Sequence, residues 1–148
     1  MSATYPELFK AAIVYSGVSA GCFVSSSGAI DAWNSTCSGG QSIATPQAWA
    51  KVALNMYPGY TGTRPKMQIY HGSADATLKP QNYQETTKQW AGVFGYNYDK
   101  PQSTKQNDPQ SGYTRTVWGP SVQGVLAAGV GHSVPLRGAD DMKFFGFA

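Results

Sequence analysis

Apolar and polar positions sort along the chain into short blocks that read as alternating strands and helices. Ala11-Ala12-Ile13-Val14-Tyr15 is an unbroken apolar run ending in Ser16-Gly17, the pattern of a strand buried on both faces. Ahead of it, Tyr5-Pro6-Glu7-Leu8-Phe9 reads as a helix end or a short turn. Residues 17–44 are rich in Gly and Ser and predict a long irregular loop, a length that in compact domains goes with function or cross-linking. Thr45-Pro46 then supplies an N-cap and a first-turn proline. The helix that follows carries Ala48, Val52 and Met56 at a spacing of four and stops at Pro58-Gly59.

A second strand is expected at Met67-Gln68-Ile69-Tyr70-His71-Gly72. Pro80 opens another helix, along which Tyr83, Thr87 and Trp90 share a face. Residues 95–112 are polar and read as a loop. Tyr113 to Trp118 and Val122 to Ala127 flank Gly119-Pro120-Ser121 and predict a hairpin. A loop through Gly129-Val130-Gly131-His132 leads to a C-terminal segment ending in Phe144-Phe145-Gly146-Phe147. No repeat or linker divides this order, so residues 1–148 are expected to form one α/β unit with a partly parallel sheet.

Composition narrows the function classes. Hydrophobic residues make up 41% of the 148 and charged residues only 13%, which argues against disorder. The net charge is +3, but the 11 Lys and Arg are scattered, so no basic run exists to follow a phosphate backbone and nucleic acid is not an expected partner. No apolar stretch nears the roughly 20 residues of a membrane span, so no membrane partner is expected either. Two cysteines and two histidines cannot supply a four-ligand metal site of usual spacing, and no metal or other cofactor is expected. Cys22 and Cys37 can pair with each other, or either can pair with a cysteine outside this sequence. Asn34-Ser35-Thr36 is a sequon for N-glycosylation at Asn34. Together these features favour a secreted protein, although Met1-Ser2-Ala3-Thr4 has neither the charge nor the apolar run of an export signal. That conflict suggests missing sequence ahead of Met1.

Ligand chemistry in open α/β sheets gathers at the carboxyl ends of the strands. Asp75 follows the second strand and His132 the last, in the acid-then-histidine order of α/β-hydrolases. In such a pair the carboxylate fixes the imidazole tautomer, and the other ring nitrogen takes a nucleophile's proton. His71, directly at a strand end, is the competing histidine, expected instead to hydrogen-bond a neighbouring loop. Gly17-Val18-Ser19-Ala20-Gly21 matches G-x-S-x-G, which makes Ser19 a candidate nucleophile. Its context disagrees, because a nucleophile elbow runs straight into a helix and Cys22-Phe23-Val24-Ser25-Ser26-Ser27-Gly28 has no helical period. Among the four tryptophans, Trp90 lies on a helical face and Trp49 beside a helical apolar series, so both are expected in the core, while Trp118 is the candidate for a substrate-facing ring.

With these residues placed, the chain resembles the second half of fungal carbohydrate esterase family 1 enzymes, the acetylxylan and feruloyl esterases related to polyhydroxybutyrate-depolymerase-like esterases. The resemblance rests on Ala3-Thr4-Tyr5-Pro6-Glu7-Leu8-Phe9, Tyr15-Ser16-Gly17-Val18, Ala20-Gly21-Cys22-Phe23, Tyr57-Pro58-Gly59-Tyr60, His71-Gly72-Ser73-Ala74-Asp75, and Trp118-Gly119-Pro120 leading to Gly131-His132-Ser133-Val134-Pro135. It implies a secreted serine esterase that deacylates xylan or another acylated plant-wall polysaccharide, with Asp75 as triad acid and His132 as triad base. It also implies a partial α/β-hydrolase fold, because the family's nucleophilic serine precedes the segment matching Tyr5–Phe9 and no position here corresponds to it. On that likeness residues 1–148 are the C-terminal part of one esterase domain, inactive alone. A non-catalytic carbohydrate-binding protein using exposed aromatics is the alternative.

Overall fold

The computed structural model describes residues 1–24 and 33–148. Residues 25–32, part of the segment expected to be an irregular loop and of the Ser/Gly-rich stretch after Ser19, lie outside the described residues. Among the described residues the fold is a mixed five-stranded sheet in the order β1-β2-β5-β4-β3. Its strands are β1 (Ala11–Tyr15), β2 (Lys66–Gly72), β3 (Ser103–Gln106), β4 (Tyr113–Gly119) and β5 (Val122–Ala127), and its helices are α1 (Ser35–Ser38), α2 (Pro46–Leu54), α3 (Gln81–Val93) and α4 (Gly138–Phe145). β1, β2 and β5 run parallel, while β4 and β3 are antiparallel.

The two-residue period of each strand divides the core between the two faces of the sheet. Met67 and Ile69 of β2 and Val122 of β5 pack with Ala53 of α2 and with Tyr83, Trp90 and Ala91 of α3. Tyr70, Val125 and Ala127 point the other way, with Tyr113, Val134 and Ile13. On that second face α4 is fastened by polar contacts: Arg115 binds both Asp140 oxygens at 2.8 and 2.9 Å, Tyr70 Oη donates to the same carboxylate, and Tyr15 Oη donates to Asp141.

Several expectations shift. β2 is buried along almost its whole length. β1 is half-buried rather than covered on both faces, because within the described residues it pairs only with β2 and forms a sheet edge. Thr45 caps α2 by accepting from the Ala48 amide, but the helix ends at Leu54, before Pro58. Its buried face is Trp49, Ala50 and Ala53, and the face through Ala48 and Val52 is exposed. Trp49 turns inward because its indole Nε1 donates to the buried Glu85 carboxylate at 2.7 Å. The polar stretch 95–112 contains β3, whose exposed Thr104, Lys105 and Gln106 give no apolar signal. The Val122–Ala127 hairpin with β4 forms, with a register irregularity between Val117 and Gly119.

Candidate active site

β2 and β5 lie side by side in parallel register, Gly72 opposite Ala127, so their carboxyl ends open on the same rim of the sheet. The chain leaving β2 turns at once: the Asp75 amide donates back to the Gly72 carbonyl. That turn is laced to the loop leaving β5. The Ser73 amide donates to Ala127, the Ala74 amide to Val130, and Ser73 Oγ accepts from the Gly129 amide. At the carboxyl end of β1, Ser16 Oγ donates to the His132 carbonyl. Three parallel strand ends therefore converge on the backbone that carries Asp75 and His132.

The side chains meet. His132 Nδ1 lies 2.9 Å from Asp75 Oδ2. The other carboxylate oxygen accepts from the amides of Thr77 and Leu78, both at 2.9 Å. Burial pushes the Asp75 carboxyl up, but the hydrogen bond from His132 and those from the Leu78 and Thr77 amides outweigh it and hold the pKa below the ordinary value. The acid is thus a buried, fixed anion. The His132 side chain is 42% exposed, so the ring that touches this anion also reaches the surface. A ring nitrogen bound to a carboxylate and an accessible partner nitrogen are what general-base chemistry requires.

His71 is fully buried, and its Nε2 lies 2.8 Å from the Leu78 carbonyl, a contact with a neighbouring loop as its position suggested. Burial pushes its pKa down, against the pull of that carbonyl and of Asp75. Ser19 lies outside this cluster. It is 2% exposed, and among the described residues its buried Oγ has no hydrogen-bond partner and no hydrogen bond joins it to His132. The next residue is bound on both sides of its peptide to α3, since Gln89 Oε1 accepts from the Ala20 amide and Gln89 Nε2 donates to the Ala20 carbonyl.

Trp118 is corrected. It is 6% exposed, stacked on Tyr98 with centroids 5.3 Å apart, and its Nε1 donates to the Tyr98 carbonyl at 2.8 Å. β4 runs antiparallel, so Trp118 lies next to the start of β5, at the opposite end of the sheet from Gly72 and the His132 loop. It is a core residue. Trp33, by contrast, is 59% exposed and tilted against Phe23.

Cys22 and Cys37 are joined in a disulfide, 15 residues apart in sequence. Asn34 Oδ1 caps α1 by accepting from the Cys37 amide, and its Nδ2 donates to the Cys22 carbonyl. Asn34 thus has a structural task inside the bridged loop beside its place in a sequon. The bridged segment reaches the acid's loop, because the Ser38 carbonyl accepts from the Lys79 amide and from Asn82 Nδ2. No group of three or more His, Cys, Asp or Glu among the described residues is arranged to hold a metal ion.

Two contributors escaped the sequence reading. Ser16 anchors the His132 backbone, and the only signal for it is its place at the end of a parallel strand. Gly72 allows the two loops to touch: a Cβ there would stand 2.2 Å from the Val130 carbonyl oxygen and 2.3 Å from that of Gly131.

Comparison with known proteins bears on this arrangement. No protein-family model matches the chain. It is 70% identical over 148 residues to a probable acetylxylan esterase A of Aspergillus terreus, covering 100% of this chain and 48% of that protein. It is 66% identical over 148 residues to acetylxylan esterase A of Talaromyces purpureogenus, of which it covers 39%. The chain resembles part of fungal acetylxylan esterase A. In structure it matches an acetyl xylan esterase from Aspergillus awamori with a TM-score of 0.99 and 63% identity, over 100% of this chain and 54% of that one. The chain therefore spans about half, or less, of the acetylxylan esterases it matches. The likeness drawn from the motifs, including its partial extent, holds over the whole chain, and the mixed α/β sheet agrees with the structural neighbour.

Proposed function

We propose that this chain supplies the acid and the base of a serine esterase that deacetylates xylan. Asp75 is the acid, His132 the base, and the attacking serine lies outside this sequence. The observation that carries the reading is the 2.9 Å contact between His132 Nδ1 and the buried Asp75 carboxylate, at the surface of the rim where three parallel strands end. Within the same proposal residues 1–148 belong to one domain, the later part of an α/β-hydrolase fold, and the parent protein is secreted. The disulfide supports secretion, because such bridges persist in oxidising compartments.

The chemistry follows from the tautomer. Asp75 holds the hydrogen on Nδ1 of His132 and leaves Nε2 free to take the serine proton as the oxygen attacks the acetyl carbonyl. The imidazolium so formed is stabilised by the buried carboxylate. It then returns its proton to the sugar oxygen as the carbon–oxygen bond of the ester breaks. Water repeats the cycle on the acyl-serine, with His132 again taking and giving one proton, and acetate leaves. The developing oxyanion needs donors, and these supply much of the rate in acyl transfer. With its own Ser19 buried and unconnected to His132, the chain by itself is inactive in this reading.

Binding of polysaccharide without hydrolysis is less well supported, since Trp118, the ring it relied on most, is buried.

The test is a chimera in which this sequence replaces the matching part of the Aspergillus terreus protein. It should release acetate from acetylated xylan, and Asp75→Asn or His132→Ala should lower kcat by about 10³- to 10⁴-fold. The chain alone should not hydrolyse a small acetyl ester. An Asp75→Asn chimera with kcat within a few-fold of the parent chimera would refute the assignment. So would robust turnover by the chain alone that survives Ser19→Ala.

A further inference from the structure

His71 has no part in the proton transfers proposed above, yet it is fully buried one residue before the end of β2 and touches the acid. Its Nε2 lies 2.8 Å from the Leu78 carbonyl oxygen and 3.2 Å from Asp75 Oδ2. A carbonyl oxygen can only accept, so Nε2 carries the hydrogen and both oxygens share it. The ring's Nδ1 is buried and has no partner among the described residues, which agrees with an imidazole whose one hydrogen sits on Nε2. Strand alternation explains the placement, for His71 shares the α3 face of β2 with Met67 and Ile69, and Leu78 lies in the loop that leads to α3.

Counting the donors on Asp75 gives the ring a task. An ionised carboxylate offers about four acceptor positions. Thr77 and Leu78 amides occupy two on Oδ1, while His132 Nδ1 and His71 Nε2 occupy two on Oδ2. The carboxylate cannot turn about its bond to Cβ without giving up several of these. His71 also grips Leu78 at its carbonyl while Asp75 grips the same residue at its amide, which closes the loop into a ring of contacts.

We propose that His71 is a positioning residue for the acid–base pair, its Nε2–H tying the Leu78 carbonyl to Asp75 Oδ2 so that this oxygen stays in line with His132 Nδ1. The inference rests on reading Asp75 and His132 as that pair.

The chain has only two histidines, so ring resonances of an isotopically labelled sample are readily separated by NMR. The readout is solvent exchange of the His132 Nδ1–H proton. His71→Phe keeps a ring but removes the donor, and the exchange should become roughly 5- to 10-fold faster, as expected for loosening about one hydrogen bond. His71→Gln places an amide nitrogen the same number of bonds from the backbone, and the exchange should stay within about twofold of the unmutated chain. Unchanged or slower exchange in His71→Phe overturns the proposal, and so does equal acceleration in both variants. Should His71→Phe fail to fold, the unmutated chain still decides: its His71 ring must show the hydrogen on Nε2, and an Nδ1–H tautomer overturns the proposal. Asp75→Ala, which removes every acceptor of that side chain, separates the two readings, because a His132 Nδ1–H proton as protected there as in the unmutated chain removes the acid–base pair itself, whatever His71 does.

Discussion

Gly72 and Val130 are in backbone contact: the position a Cβ would take on Gly72 lies 2.2 Å from the Val130 carbonyl oxygen. The same oxygen accepts from the Ala74 amide, so the loop of Asp75 and the loop of His132 share one seam. Gly72→Ala must push that seam apart. Overpacking of this kind costs about 1–3 kcal/mol. Urea unfolding of the chain should show a loss in that range, and the chimera should lose kcat because His132 is carried away from Asp75. A variant with full stability and full activity would mean that the loops part without consequence.

Stability should fall in two steps as the pH is lowered. His71 is held below its ordinary pKa, so the unfolded chain takes up its proton first; its contribution is complete above about 6.5 and is lost as the pH falls from there towards the folded value. Asp75, Glu85 and Asp140 are likewise held below their ordinary values, and their contribution is complete above about 4 and lost as the pH falls through the folded values. Denaturant midpoints measured from pH 8 to pH 3 should show both steps. His71→Phe should abolish the upper one and keep the lower.

Reducing the Cys22–Cys37 bridge releases a loop of 15 residues' separation, worth about 3 kcal/mol in the chain-entropy model. A double Cys22→Ala, Cys37→Ala chain should unfold at correspondingly lower urea. Its Lys79 amide, bound to the Ser38 carbonyl, should also exchange faster with solvent. An intact mass unchanged by reduction, with two thiols open to alkylation, would show that the bridge is absent.

Asp140 collects Arg115, Tyr70 and Gln68 and so fastens α4, the helix that follows the His132 loop, onto the sheet. Hydrogen bonds to a charged group are worth about 1.5–3 kcal/mol. Asp140→Ala should cost about that much by urea unfolding, and hydrogen exchange should show α4 loosening before β2 does. A cost near zero would mean that α4 is held by its other contacts, the Tyr15–Asp141 hydrogen bond among them.

Trp118→Ala should act on folding and leave recognition of polysaccharide alone. Emptying a buried aromatic site costs about 3–5 kcal/mol. A pulldown on insoluble xylan, under conditions where the variant is still folded, should show no change in binding.

Much of this architecture is visible in the amino-acid order, and the exceptions have physical causes. β2 announces itself because both of its faces are covered, and α3 because Tyr83, Thr87 and Trp90 return every three to four residues. Asp75 and His132 could be paired in advance because parallel strands bring their carboxyl ends together and each residue lies just past such an end. β3 stayed hidden because an exposed edge strand of Ser, Thr, Lys and Gln needs no apolar pattern. The buried side of α2 lies one position from the face its Ala48–Val52 spacing predicts, since Ala50 and Ala53 are small and the strongest cue, Trp49, turns inward for a carboxylate on another helix. For Trp118 the signal was present: it stands beside the hairpin turn at Gly119-Pro120, and a hairpin turn lies at the opposite end from where its second strand finishes. Gly72 and Ser16 act through backbone carbonyls, which a residue pattern does not display.

The seam between the two loops also bears on protein engineering. Asp75 and His132 lie on one continuous stretch from β2 to α4, in loops stitched to each other by main-chain contacts, so on the proposed reading that stretch would transplant as a cassette. A recipient scaffold would need to bring its own hydroxyl to the rim at the right angle, without having to rebuild the His132–Asp75 contact.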